Sequence, residues 1–160
     1  MAMTIKTDGL DELARMLAEL GNKAQEVASG ALFDGAGTVA DAMSNAIGSI
    51  QTEPFHYAPE GQTRLPSPQE KAALVGKIGV AKFRKSGGEV DTRIGFTGSG
   101  YAKMAGQVKP VAVIARSINS GTSFMKKQPV FRRAVSQSKS AAQAAITAKA
   151  EEMFNEIIGK

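Results

Sequence analysis

A chain of 160 residues that is 42% hydrophobic and 6% aromatic has the length and apolar content for one domain, residues 1–160, with a mostly aliphatic core. No cysteine and a single histidine, His56, exclude disulfides, thiolate catalysis, cysteine-ligated zinc or iron–sulfur centres and multi-histidine metal sites, so no metal and no cofactor is expected. A net charge of +5, from 20 basic and 15 acidic residues, is compatible with an anionic partner but too modest to name nucleic acid, and the lack of a long apolar run or a signal-peptide layout leads us to expect a protein made in a cytoplasm without membrane contact.

The first predicted element is a short amphipathic helix. Leu10, Leu13, Leu17 and Leu20 recur at three- and four-residue steps, with Asp8 as candidate N-cap and Gly21 placed to stop the helix. A second helix is expected from about Asn22 to Ile50, where Val27, Ala31, Leu32, Val39, Met43, Ala46 and Ile50 keep the period. Gly30, Gly35, Gly37 and Gly48 weaken it by about 1 kcal/mol each, while small residues let another backbone come close.

Four of the six prolines fall in "QTEPFHYAPEGQTRLPSPQ", which reads as an extended arm, 52–66, with no packed element in it. Ser67, Pro68 and Glu70 then form a capping-box pattern that predicts a short helix ending near Gly76. Ile78 and Val80, turn residues Ser86, Gly87 and Gly88, and the alternating Val90, Thr92, Ile94 and Phe96 predict a β-hairpin. "TGSGYAKMAGQVKP" reads as a glycine-rich flexible connection, and Val111 to Ile118 as a helix, though periodicity leaves a strand open there. A long C-terminal helix, 129–158, is expected from Phe131, Val135, Ser138, Ala142, Ala145, Ile146, Lys149, Met153 and Ile157, with Pro129 in its first turn and Phe131 and Phe154 both buried. The predicted fold class is α+β, two long helices packed on a small antiparallel β-sheet.

Motifs of catalysis are weak. "GFTGSGYAKMAG" matches the dinucleotide fingerprint poorly, "VGKIG" lacks the rest of a phosphate loop, and the carboxylates Asp11, Glu12, Glu19, Glu151, Glu152 and Glu156 fall mainly on exposed helix faces. His56 has no serine nucleophile signature near it. The expectation is a protein that is not an enzyme. One stretch stands out: "SGTSFMKKQPVFRRAV", Ser120 to Val135, carries Lys126, Lys127, Arg132 and Arg133 with no acidic residue. Together with Arg116 and Lys139 these could neutralise phosphates at a helix start, yet no nucleic-acid module and few stacking aromatics accompany them.

Taken along its length, the chain resembles the tail-completion or neck protein family of long-tailed bacteriophages, minor tail components near the head–tail junction. The residues that carry the resemblance are "GLDELARMLAELGNKAQEVASGAL", "AALVGKIGVAKFRKSGGEVDTRIGF" and "NSGTSFMKKQPVFRRAV", in which Gly121, Thr122, Pro129, Phe131, Arg132, Arg133 and Ala134 follow the family's layout. Val130 separates the proline from the phenylalanine, and Asn119 and Ser120 stand where the family commonly has an acidic residue. The resemblance implies a structural virion protein that forms a homo-oligomeric ring, with head-closure, tail-terminator or tail-tube proteins as neighbours and DNA at most passing through the lumen. On that basis Lys126, Lys127, Arg132, Arg133, Gly121 and Thr122 are expected at an assembly interface, with Phe55 and Tyr57 of the arm as a second docking candidate. A basic DNA-binding or DNA-packaging accessory protein is the alternative.

Overall fold

The structure, a computed structural model, describes residues 10–54, 60–86, 89–96, 100–104 and 107–159, without the side chains of 10–17, 19, 20, 22 and 89. Helix α1 runs unbroken over Leu10–Ala46, and a 3-10 turn continues it over Ile47–Ser49. The expected stop at Gly21 does not occur. An interior glycine costs only about 1 kcal/mol, no proline follows it, and the apolar period carries across it, so the two predicted helices are one. Asp8 lies outside the described residues.

The second long helix, α4 (Val130–Ile158), packs along α1. Gly30 of α1 faces Met153, Gly35 faces Ile146, and Ala42 and Asn45 lie near Ser138, so the two helices are antiparallel. Gly35 is what this packing needs: a Cβ there would come within 2.7 Å of Ile146 Cδ1 and 3.1 Å of the Ala142 carbonyl. The buried stripe of α4 is Phe131, Ala134, Ser138 and Ala142, continued by half-buried Ile146 and Met153. Two expected members are displaced from it: Val135 is exposed, its place taken by Ala134, and Phe154 is 36% exposed on the outer side. Lys149 pairs with Glu152 at 2.9 Å; that hydrogen bond, with smaller help from Asp34 of α1, raises its pKa.

Among the described residues the β structure forms three separate two-stranded antiparallel ladders. In the first hairpin β1 (Ile78–Val80) pairs with β4 (Ile94–Phe96), and β2 (Arg84–Ser86) with β3 (Glu89–Asp91). Between the ladders one arm has residues 81–83 and the other 92–93, so one arm carries an extra residue and the register slips by one, as at a β-bulge. The Ala81 N–H donates to the Arg93 carbonyl (2.7 Å) and the Thr92 hydroxyl to the Ala81 carbonyl (2.8 Å), which stitches the interruption. Gly87 and Gly88 of the expected turn lie outside the described residues. The stretch expected to be a flexible connection contains a second hairpin, β5 (Tyr101–Met104) with β6 (Gln107–Pro110). Met104 is buried in the core, which holds the hairpin down.

Pro68–Ala72 is helix α2, and its capping box forms as expected, with Ser67 Oγ accepting from the Glu70 amide. Helix α3 covers Val111–Ser120. The main core joins Met43, Ile47 and Ile50 at the end of α1 to Leu74, Met104, Val111, Ile114, Ile118, Met125 and Phe131. Phe131 meets Phe96 edge to face at 5.0 Å, a favourable aromatic geometry.

Candidate assembly interface

The basic junction is built from the end of α3 onward. Gly121 stops that helix at φ +77°, a left-handed conformation that favours glycine, and its amide donates to the Ser117 carbonyl at 2.8 Å. The chain then turns back past it so closely that a Cβ on Gly121 would lie 3.0 Å from Lys127 Cβ and 3.2 Å from Lys127 N. Thr122 closes the turn. Its hydroxyl accepts from the Met125 amide (3.0 Å) and its own amide donates to the Met125 carbonyl (2.9 Å). Gly121 and Thr122, expected at the interface, therefore shape the loop that presents Lys126 and Lys127.

Helix α4 begins after Pro129, which has no side-chain oxygen to cap it. Asn119, at the end of α3, performs that service: its Oδ1 accepts from the Arg132 amide at 3.2 Å. The Gln128 amide donates to the Ile118 carbonyl (2.8 Å), and the Gln128 side chain exchanges two hydrogen bonds of 2.9 Å with the backbone of Gln51. The basic helix entry is thus tied both to α3 and to the end of α1.

The arm supplies a third tie. Arg64 forms a parallel bridge with Met125, its amide donating to the Phe124 carbonyl (2.9 Å) and its carbonyl accepting from the Lys126 amide (2.8 Å). Its guanidinium is buried and forks onto Glu70, Nη1 to Oε2 at 2.7 Å and Nη2 to Oε1 at 2.6 Å. Glu70 Oε2 also accepts from the Ser67 amide at 2.8 Å, while Arg64 Nε is buried without a hydrogen-bond partner among the described residues. The last part of the arm is therefore packed, contrary to the expectation of an arm with no packed element: Arg64, Pro66 and Ser67 are buried, because the ion pair and the bridge need that segment inside. Phe55 and Tyr57, with His56, lie outside the described residues.

What this scaffold displays is positive charge. Lys126, Lys127, Arg132 and Arg133 are all exposed, and among the described residues none of them forms an ion pair. Arg116 and Lys139 are exposed as well. Beside the junction, Ala42, Asn45, Ala46 and Ser49 face Val130, Arg133, Ala134, Gln137 and Ser138 across a groove of about 480 Å³. Small side chains line most of it and Arg133 stands on its wall. Among the described residues no group of acidic or histidine side chains is placed to hold a metal ion, and no helix is long and apolar enough to cross a membrane.

The Arg64–Glu70 pair and the Asn119 cap were not foreseen. Glu70 was legible only through its capping box, and Asn119 only as a departure from the acidic residue of the phage family. Compared with protein-family models, with curated proteins and with solved structures, the chain matches none.

Proposed function

We propose that this protein is a structural virion subunit at the head–tail junction of a long-tailed bacteriophage, a tail-completion or neck protein that forms a ring and joins tail to head without catalysis. One observation supports this most: among the described residues large apolar side chains stand exposed, Phe33 at 58%, Tyr101 at 67%, Val108 at 63% and Ile158 at 56%. Apolar surface of that kind suits a subunit that is covered by neighbours. Val75 and Phe124 fit the same reading, as do the edges of the two-stranded ladders, which have no further strand beside them among the described residues and which a neighbouring strand can extend. The neighbours in this reading are copies of the chain to either side and head-closure, tail-terminator or tail-tube proteins above and below.

The four exposed cations favour a second reading, a DNA-binding or packaging accessory, and salt separates the two. Phosphate contacts weaken steeply as salt rises, whereas apolar and strand-edge contacts do not. The deciding experiment measures the mass of the purified protein by light scattering at physiological salt, images it in micrographs, and tests retention of duplex DNA in the same buffer. The structural reading expects ring-shaped multiples of 16.7 kDa and no retained DNA. A monomer that retains DNA at that salt overturns it in favour of the alternative.

A further inference from the structure

The charges of helix α4 are arranged against the helix's own dipole. From Val130 to Lys139 it carries Arg132, Arg133 and Lys139 with no acidic residue, and from Glu151 to Ile158 it carries Glu151, Glu152 and Glu156 with no basic one. A helix has partial positive charge at its N-terminus and partial negative charge at its C-terminus, so cations at the start and carboxylates at the end are both disfavoured. Glu152 pairs with Lys149, but among the described residues Glu151, Arg132 and Arg133 form no ion pair that would offset this. The stability of the helix by itself therefore does not account for the arrangement.

The acidic end is apolar on one side. Glu151, Phe154 and Ile158 follow at steps of three and four residues, which puts them on one face, and all three are exposed. Met153 and Ile157, half-buried, take the inner side beside Val27 of α1. At the other end of the helix pair, the groove beside Arg133 is lined by Ala42, Ala46, Val130 and Ala134, short side chains that leave room for longer ones. An acidic face with two large apolar side chains and a groove of small ones with a basic wall are complementary in shape and in charge. Within one molecule they cannot meet, because the same helix holds Ala134 and Ile158 about 36 Å apart.

We infer that the Glu151–Ile158 end of α4 in one copy docks in the groove beside Arg133 of the next copy, with Phe154 and Ile158 inward and Glu151 toward Arg133. The inference rests on the ring reading and names its subunit contact. A helix laid in a groove is anchored at steps of three, four and seven residues, which Glu151, Phe154 and Ile158 supply. The charges that are unfavourable within each helix become favourable across the contact, and they fix its direction, since acidic end must meet basic end. Joined head to tail in this way, copies of the chain close into a ring.

The absence of cysteine lets engineered thiols report the contact without background. Asn155 and Gln137 are exposed and adjoin the two halves of the contact, so neither substitution removes an anchor. Full-length Asn155→Cys protein is mixed with full-length Gln137→Cys protein and oxidised gently, beside a control mixture of Asn155→Cys with Val75→Cys. The expected result is a disulfide-linked dimer in the first mixture at roughly ten times the control yield or more, the factor that one tenfold step in effective affinity gives. Arg133→Glu in the Gln137→Cys protein should lower that yield by a similar factor at an unchanged melting temperature, and Glu151→Arg in the Asn155→Cys protein should restore it. A chain carrying both thiols should give a ladder of covalent multiples, and a product that stops at the dimer overturns the head-to-tail contact. Cross-linking at the control level in a protein whose mass is still oligomeric overturns this contact, leaves the ring standing and assigns the end of α4 to a different neighbour. A protein that stays monomeric at every concentration overturns both.

Discussion

Gly21 and Gly35 share helix α1 but meet opposite surroundings. A Cβ at Gly21 would touch nothing within 4 Å, whereas at Gly35 it would collide with Ile146 and the Ala142 carbonyl. Gly21→Ala should therefore stabilise the protein by about 1 kcal/mol through helix propensity, and Gly35→Ala should destabilise it by about 1 to 3 kcal/mol through overpacking. Denaturant unfolding of the two variants checks the opposite signs. Phe131, 5% exposed and stacked edge to face on Phe96, is a core residue. Its replacement by alanine should cost about 3 to 5 kcal/mol, read as a lower thermal midpoint. The buried Arg64–Glu70 pair follows a different rule, since each charge is tolerable only because the other is there. Glu70→Ala should cost about 3 to 5 kcal/mol, while replacing both residues by apolar ones of similar volume should recover most of that loss in a double-mutant cycle.

At the scale of elements, helix α4 depends on a cap from another helix. Losing an N-cap side chain costs about 1 kcal/mol, so Asn119→Ala should destabilise the protein by that amount and speed hydrogen exchange of the Arg132 amide, which then has no acceptor. Amides in the middle of α4 should be protected as before. The bulged hairpin has a comparable role on the sheet side. By adding one residue to one arm, it shifts the register between the ladder of Ile78 and Ile94, which packs against the core, and the ladder that carries Arg84, Lys85 and Asp91.

At the scale of the whole molecule, three ties converge on the basic junction: the Arg64 bridge, the Gln51–Gln128 exchange and the Asn119 cap. A loop held from three sides presents its cations with little ordering entropy left to lose on binding. On the proposed reading, Arg132→Glu with Arg133→Glu should block joining of tails to heads while leaving the melting temperature unchanged, because both side chains are exposed and outside the core. Charge-assisted contacts across a buried interface are worth about 2 to 5 kcal/mol each, enough to decide a weak association. Assembly of the double variant at wild-type yield, together with loss of DNA retention, would reverse the choice between the two readings.

Much of this architecture was legible because its causes are local. Helix α4, the Ser67–Glu70 box, the hairpin around residues 86–89 and the burial of Phe131 all follow from patterns repeated within a few residues. So did the choice of the basic stretch as the candidate site, since its lack of any acidic residue is a property of the sequence. Other features depended on partners far along the chain. The pairing of β5 with β6 was decided by a core that takes in Met104. Phe154 and Val135 were placed outside by the path of α4 over α1, a matter of packing angle that helical period alone does not determine. Glu70 found Arg64, Asn119 found Arg132 and Gln51 found Gln128 only once the chain had folded. Local periodicity determined which residues form each element, and the burial of polar groups, each needing a partner, determined how those elements were locked together.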